Sequence, residues 1–148
     1  MSYVRLLYHV IIRTKASQPV LSIEHSDELY RYIWGIIKNK SSMLYRVNGI
    51  EDHVHILFSL HPTIAFSDFM REMKAETSKM LKRTAGFEKF IAWSEGYAAL
   101  SYSLKDKEVI INYIKNQREH HKTISFRDEY VAFLKEMNLE LDERDWSR

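Results

Sequence analysis

The chain is predicted to fold as an α+β protein, an antiparallel sheet of four to five strands with helices packed on both faces. Three observations carry this. Stretches in which apolar and polar residues alternate are interleaved with stretches in which apolar residues recur at helical spacing. The order along the chain reads β-α-β-β-α-β-α with a further short helix, and the β-β step leaves room only for a tight turn. At 148 residues, 45% of them hydrophobic, the chain can bury one core, and helices laid on an antiparallel sheet are the natural way to do so.

Strand one is read over Tyr3–Thr14, which alternates and is rich in β-formers. Lys15–Ile23, with Pro19, is a loop. Ser26 is the expected N-cap of helix one, with Asp27 and Glu28 in its first turn; Leu29, Tyr30, Ile33, Trp34 and Ile37 give its apolar face as far as Lys40. Met43–Asn48 is strand two, Gly49 the turn, and Asp52–Leu60 strand three. Ser67 and Asp68 are expected to cap helix two, whose stripe is Phe66, Phe69, Met70, Met73, Met80 and Leu81, with Gly86 as the stop. Tyr97–Leu104 is strand four. One helix is expected from Asp106 to about His121. Ser125 and Asp128 open a last short helix in an acidic tail of about twenty residues. A single domain over 1–148 is expected.

Composition excludes several classes. The absence of cysteine removes disulfides, thiolate metal sites and cysteine nucleophiles, and it fits a reducing cytoplasm. No apolar run is long enough for a membrane span, and the N-terminus lacks the pattern of a signal peptide. Net charge is +2, but residues 129–148 carry −3, leaving a mildly basic body compatible with phosphate binding.

The stretch Asp52-His53-Val54-His55-Ile56-Leu57-Phe58-Ser59 holds the first chemical signal. Alternate side chains of a strand share a face, so His53 and His55 project together while Val54, Ile56, Phe58 and Leu60 form a wholly apolar face. The apolar face can anchor the strand, and the other presents two imidazoles able to grip one metal ion.

The second signal lies in Val109–Gln117. With Val109 at zero, Tyr113 falls at about 40° and Gln117 at about 80°, inside an apolar face that runs to Ile114 at about 140°. A core tyrosine is ordinary. A buried amide costs about 1–3 kcal/mol unless it finds partners, so Gln117 calls for a network, ligand or metal. If this helix covers the His53/His55 face, two imidazoles, an amide oxygen and a phenol converge. A divalent ion on His53, His55 and Gln117 could polarise a phosphodiester, and Tyr113 could attack the phosphorus.

These residues resemble the HUH single-tyrosine transposases, the transposase A group of insertion sequences of the 200/605 type and their REP-associated relatives. The resemblance runs through "YHVIIRTK" at Tyr8–Lys15, "DHVHILFSL" at Asp52–Leu60, "GYAALSYS" at Gly96–Ser103 and "YIKNQREHH" at Tyr113–His121. One departure is Ser94 after Trp93, where relatives often carry glutamine. The resemblance implies a ferredoxin- or RNA-recognition-like sheet and a metal-dependent enzyme, with Mg²⁺ or Mn²⁺. That enzyme would cleave and rejoin single-stranded DNA bearing imperfect hairpins through a 5′-phosphotyrosine intermediate, leaving a free 3′-hydroxyl. It also implies a homodimer in the prokaryotic cytoplasm, whose tyrosine helix can be donated to the partner's histidine pair.

Other residues have two readings each. His120 and His121 could contact DNA phosphate, and His120 could help deprotonate the phenol; a polar helix end favoured by the dipole is the simpler reading. Lys115 could touch DNA. Arg71, Lys74, Lys79, Lys82 and Arg83 make helix two basic, either as a solvated face or as a surface for hairpin backbone. His9 carries little functional weight, His25 and His61 read as loop residues, and Trp34, Trp93 and Trp146 as packing. Two competing functions remain at this point. One is a replication-initiator or relaxase-type nicking enzyme, disfavoured by Asn116 where initiators usually place lysine and by a tyrosine that follows the histidines. The other is a non-catalytic nucleic-acid-binding module of ferredoxin-like fold.

Overall fold

The computed structural model describes residues 1–148. Four strands, β1 (Leu7–Arg13), β2 (Met43–Ile50), β3 (His53–Ser59) and β4 (Ala98–Tyr102), form one antiparallel sheet in the order β2-β3-β1-β4. Helices α1 (Ser26–Asn39) and α2 (Phe66–Lys82) join the strands. Beyond β4 come α3 (Lys107–Lys115), α4 (Gln117–His120), α5 (Phe126–Glu136) and α6 (Glu143–Trp146).

The two faces of the sheet serve different purposes. Val10 and Ile12 of β1 and Val54, Ile56 and Phe58 of β3 pack against Leu29, Ile33 and Ile37 of α1 and Phe69, Met70, Met73 and Leu81 of α2, forming the main core. On the reverse face Ile11 and Ala98 meet Phe126, Tyr130 and Phe133 of α5 in a second, smaller core. The alternation that buries Val10 and Ile12 on the first face turns His9, Ile11 and Arg13 to the second, where His53 and His55 also lie. With helices on both faces, the two central strands have no solvated side, and every residue of β3 is buried.

Several boundaries differ from expectation. Strand one begins at Leu7, because the residues before it are exposed and unpaired, and Thr14 makes only an isolated bridge to Trp93. Strand four is trimmed to Ala98–Tyr102. Ser26 lies inside α1 behind an N-cap at His25, and α2 starts at Phe66 behind Ala65, so neither expected cap makes a capping bond. Gly49 is not the turn, which falls at Glu51 and Asp52. It lies within β2, where a Cβ would stand 2.1 Å from the His53 carbonyl oxygen, so only glycine fits that close approach. Helix two ends at Lys82, before Gly86. The tail is more ordered than expected: Ser125 does cap α5, accepting from the Asp128 N–H, and α5 is followed by α6.

The largest difference is the break at Asn116, which divides the single helix expected over Asp106–His121. Neither proline nor glycine causes it. The Asn48 amide of β2 donates to the carbonyls of Ile114 (3.0 Å) and Lys115 (3.1 Å), which a continuous helix would offer to N–H groups four residues on. Asn48 thus clamps the end of α3 to the sheet. No helix is long and apolar enough to cross a membrane.

Candidate active site

Strand β3 and helices α3, α4 and α5 meet over the second face of the sheet. His53 and His55 are fully buried there, with ring centroids 5.0 Å apart. His53 Nδ1 donates to Asp52 Oδ1 (2.7 Å), which fixes the ring and aims Nε2 inward, 3.1 Å from Gln117 Oε1. His55 Nδ1 accepts from His9 Nε2 at 2.8 Å, and its Nε2 donates to Glu129 Oε1 at 3.0 Å. The Tyr113 ring lies edge-on to His55, with centroids 5.8 Å apart. Despite the break in the helix, Tyr113 and Gln117 still converge.

They converge on Glu129, a residue absent from the sequence-based site. Its carboxylate is 3% exposed. Oε1 accepts from His55 and from His121 Nε2 (3.0 Å) and lies 3.3 Å from His53 Nε2. Oε2 accepts from Gln117 Nε2 (2.8 Å) and from the Tyr113 hydroxyl, and lies 3.3 Å from His120 Nε2. The sequence carries little signal for Glu129: with Phe126 at zero it falls at about 300°, bordering the stripe of Phe133 at about 340°, Phe126 and Tyr130 at about 40°. His9 was also undervalued, since it holds the outer nitrogen of His55.

The electrostatics follow from burial around one anion. Desolvation would raise the Glu129 pKa, but hydrogen bonds from His121, His53 and His55 overcome it and hold the group ionised. Burial pulls His53 down, yet Asp52 and Glu129 outweigh it and raise its pKa. His55 is lowered to about 4, chiefly by burial and also by His53 and His121, against the pull of Glu129. His9 is lowered to about 3 by burial and by His55. Burial and then the neighbouring Glu129 raise the Tyr113 pKa, so the phenol keeps its proton in this arrangement.

The remaining candidates divide. His121 and His120 border the same carboxylate, which gives them more than the helix-end role. Lys115 is exposed at the end of α3. Arg71, Lys74, Lys79 and Lys82 lie on α2 and Arg83 caps its end, across the sheet from the histidines. Lys74 is not free there, because its ammonium donates to the Ser94 and Gly96 carbonyls (2.8 and 2.7 Å). Arg71 pairs with Asp68 and Lys79 with Glu76. Trp93 packs with its N–H on Thr77, while Trp34 is half exposed.

The donor set fits a divalent cation. One Nε2 from each of His53 and His55 and an oxygen of Glu129 lie within 4.8 Å of one another, with Gln117 Oε1 beside them. Two imidazoles with oxygen donors suit a transition-metal ion that accepts nitrogen more than Mg²⁺, which favours oxygen alone.

Residues 2–117 match the family described as "Transposase IS200 like". The transposase for insertion sequence element IS200 of Salmonella typhimurium is 26% identical over 120 residues, covering 78% of each chain. The ISDra2 transposase TnpA of Deinococcus radiodurans is 27% identical over 128 residues, covering 78% of this chain and 86% of its own. Among solved structures, a putative transposase from Deinococcus radiodurans superposes with a TM-score of 0.59 at 27% identity, over 79% of this chain and 95% of that one. A REP-associated tyrosine transposase bound to a REP hairpin gives 0.62 at 14% identity, over 84% and 73%, a likeness of fold. With most of its length matched, and with the histidine pair and the tyrosine brought to one face of the sheet, the chain belongs to the IS200-like transposase family.

Proposed function

We propose that this chain cuts and rejoins single-stranded DNA through a covalent phosphotyrosine, with Tyr113 as nucleophile and a divalent cation held by His53, His55 and Gln117. Glu129 adds an oxygen to that set. The observation that carries the proposal is convergence. Two inward-facing imidazole nitrogens, an amide and the only phenol beside them meet around a single buried carboxylate. Family membership supplies the reaction class, DNA transposition.

When bound, Mg²⁺ or Mn²⁺ would act as a Lewis acid on the phosphate and offset the negative charge that raises the phenol's pKa. The protein's own groups supply the rest. The Tyr113 oxygen, oriented by its hydrogen bond to Glu129 Oε2, attacks phosphorus and gives up its proton to water. The bond from phosphorus to the 3′ oxygen breaks, and that oxygen takes up a proton from water to leave as a free hydroxyl. The 5′ phosphate stays on Tyr113. The ester preserves the bond energy, so a 3′-hydroxyl can reverse the step without ATP.

The substrate in this reading is single-stranded DNA with imperfect hairpins at the ends of an insertion sequence, in the cytoplasm of a prokaryotic cell. One solved relative is described as bound to a REP hairpin. Exposed Arg71, Lys79, Lys82 and Arg83, with Lys115, are the proposed backbone contacts. A homodimer would handle two ends at once. Tyr113 lies beside its own chain's His55, which favours a site built within each copy.

The test uses single-stranded oligonucleotides copied from the DNA flanking the gene, with Mn²⁺ or Mg²⁺. A covalent adduct mapped by mass spectrometry to Tyr113 and abolished by EDTA is expected. An adduct on another tyrosine, or cleavage indifferent to EDTA, overturns the proposal.

A further inference from the structure

A cavity of about 460 Å³ opens beside Tyr113, between α3, α5 and the sheet. Its walls include His9, Tyr102, Tyr113, His120, Phe133 and Glu136. The volume is that of a small-ligand pocket rather than a packing defect, and the walls are mainly apolar and aromatic. One imidazole nitrogen in these walls, His9 Nδ1, is buried and makes no hydrogen bond, whereas His120 Nε2 lies 3.3 Å from Glu129 Oε2. His9 itself is 1% exposed. A buried polar atom without a partner is uncommon in a folded protein and calls for an explanation. Here that atom belongs to a residue that lines the cavity.

We infer that this cavity receives one nucleobase of the DNA strand, from a nucleotide flanking the scissile phosphate. The inference rests on the reading of Tyr113 as nucleophile, and extends it to sequence preference. Position argues for a base. A phosphorus held at the Tyr113 hydroxyl has its neighbouring sugars within a side chain's length, and this is the cavity that Tyr113 itself walls. Charge argues against a phosphate, because the acidic lining residues Asp128 and Glu136 repel an anion. Chemistry argues for a base over a wholly apolar group. Extruded bases are held between aromatic and apolar side chains while their edges are read by hydrogen bonds. Tyr102 and Phe133 supply the aromatic walls, and His9, which donates through Nε2 to His55, supplies Nδ1 as an acceptor. The Tyr102 hydroxyl donates to Glu136 Oε2 at 3.2 Å, which leaves Oε1 to accept from an exocyclic amino group. Adenine, cytosine and guanine carry such a group, and thymine does not. The pocket therefore selects against thymine.

The test is a single-stranded DNA library that carries the hairpin flanking the gene and is randomised around the cut, incubated with the full-length protein and Mn²⁺, followed by capture and sequencing of the covalent adducts. Wild type is expected to disfavour thymine about tenfold at one nucleotide next to the cut, the discrimination of a single good base contact. Glu136→Gln should reduce that preference, and Ala132→Phe, which fills the cavity from α5, should level it to within about twofold. Preferences at other positions should stay unchanged. Thermal melts by circular dichroism verify that both variants fold; Glu136 is on the surface, so it serves as the test if the phenylalanine does not pack. Adducts whose flanking preference is absent in wild type, or unchanged in the variants, overturn the base pocket and leave the nucleophile standing. No adduct with any library member overturns the nucleophile, and the pocket's assignment with it.

Discussion

Glu129→Ala is the sharpest test of the site. The carboxylate is buried and accepts hydrogen bonds from His55, His121, Gln117 and Tyr113, with His53 beside it. Its removal leaves a cationic His53 and several buried donors without their acceptor. Each buried group left unsatisfied costs about 1–3 kcal/mol. Water entering the space relieves part of this, so the loss should resemble that of breaking a buried ion pair, about 3–5 kcal/mol. At about 3 °C per kcal/mol for a chain of this size, the melting temperature in EDTA should fall by roughly 10–15 °C. Glu129→Gln keeps the shape and one acceptor oxygen but loses the charge, so it should fall between the two. Circular dichroism melts at neutral pH in EDTA give the answer, and a repeat with Mn²⁺ shows whether a cation restores the variant. An alanine variant melting within about 3 °C of wild type in EDTA would refute the account of Glu129 as the hub of the site.

Tyr113→Phe should destabilise the fold by only about 1 kcal/mol, the worth of one hydrogen bond, while abolishing the DNA adduct; denaturant titration and gel assays report the two effects separately. His9→Phe removes the partner of His55 Nδ1 and should weaken Mn²⁺ binding about 10–100-fold, as loss of an outer-shell partner commonly does, measured by calorimetric titration. In EDTA, stability should rise from pH 4 to about 6.5, because the unfolded chain protonates His9 and His55 while the folded chain keeps them neutral, their pKa values being lowered to about 3 and about 4. Each contributes about 1.4 kcal/mol per pH unit. Above 6.5 the raised pKa of His53 reverses the sign: the folded state holds a proton the unfolded state has lost, and stability declines. A profile flat across pH 4–8 would contradict this assignment. Arg13→Ala should free the C-terminal segment, since the guanidinium donates to the Asp145 and Trp146 carbonyls and lies 4.6 Å from the Trp146 ring; faster proteolysis after residue 139 is the expected readout.

What could be read from the sequence were the properties of single elements. The period of two in β3 separates His53 and His55 from Val54, Ile56 and Phe58 with no knowledge of the rest of the chain. The helical spacing of Tyr113 and Gln117 likewise survived the break at Asn116. What escaped depends on elements meeting. That His9 shares a side with His55 follows only from the pairing of β1 with β3, which sets Ile11 opposite His55. The break between α3 and α4 comes from Asn48, 66 residues away from Ile114. Glu129 sits at the rim of the apolar stripe of α5, where the angular argument that marks Gln117 does not single it out. Its partners are known only once α5 is laid over the sheet. The basic residues of α2 were legible as a charged face, but not that the sheet separates them from the histidines.

The order of strands has a consequence for how the site comes apart. His9, His53 and His55 stand on β1 and β3, the two strands paired along both edges, whose amides are expected to open to hydrogen exchange last. Tyr113, Gln117 and Glu129 stand on short helices laid over them, α4 being a single turn. The imidazoles thus belong to the slowest-exchanging unit of the molecule, and the phenol and carboxylate to one that can lift away by sub-global opening. Deuterium uptake should separate two cooperative units along this boundary. A strand of DNA could then reach the histidines through a local excursion of the helices, while the sheet that orients those histidines stays intact.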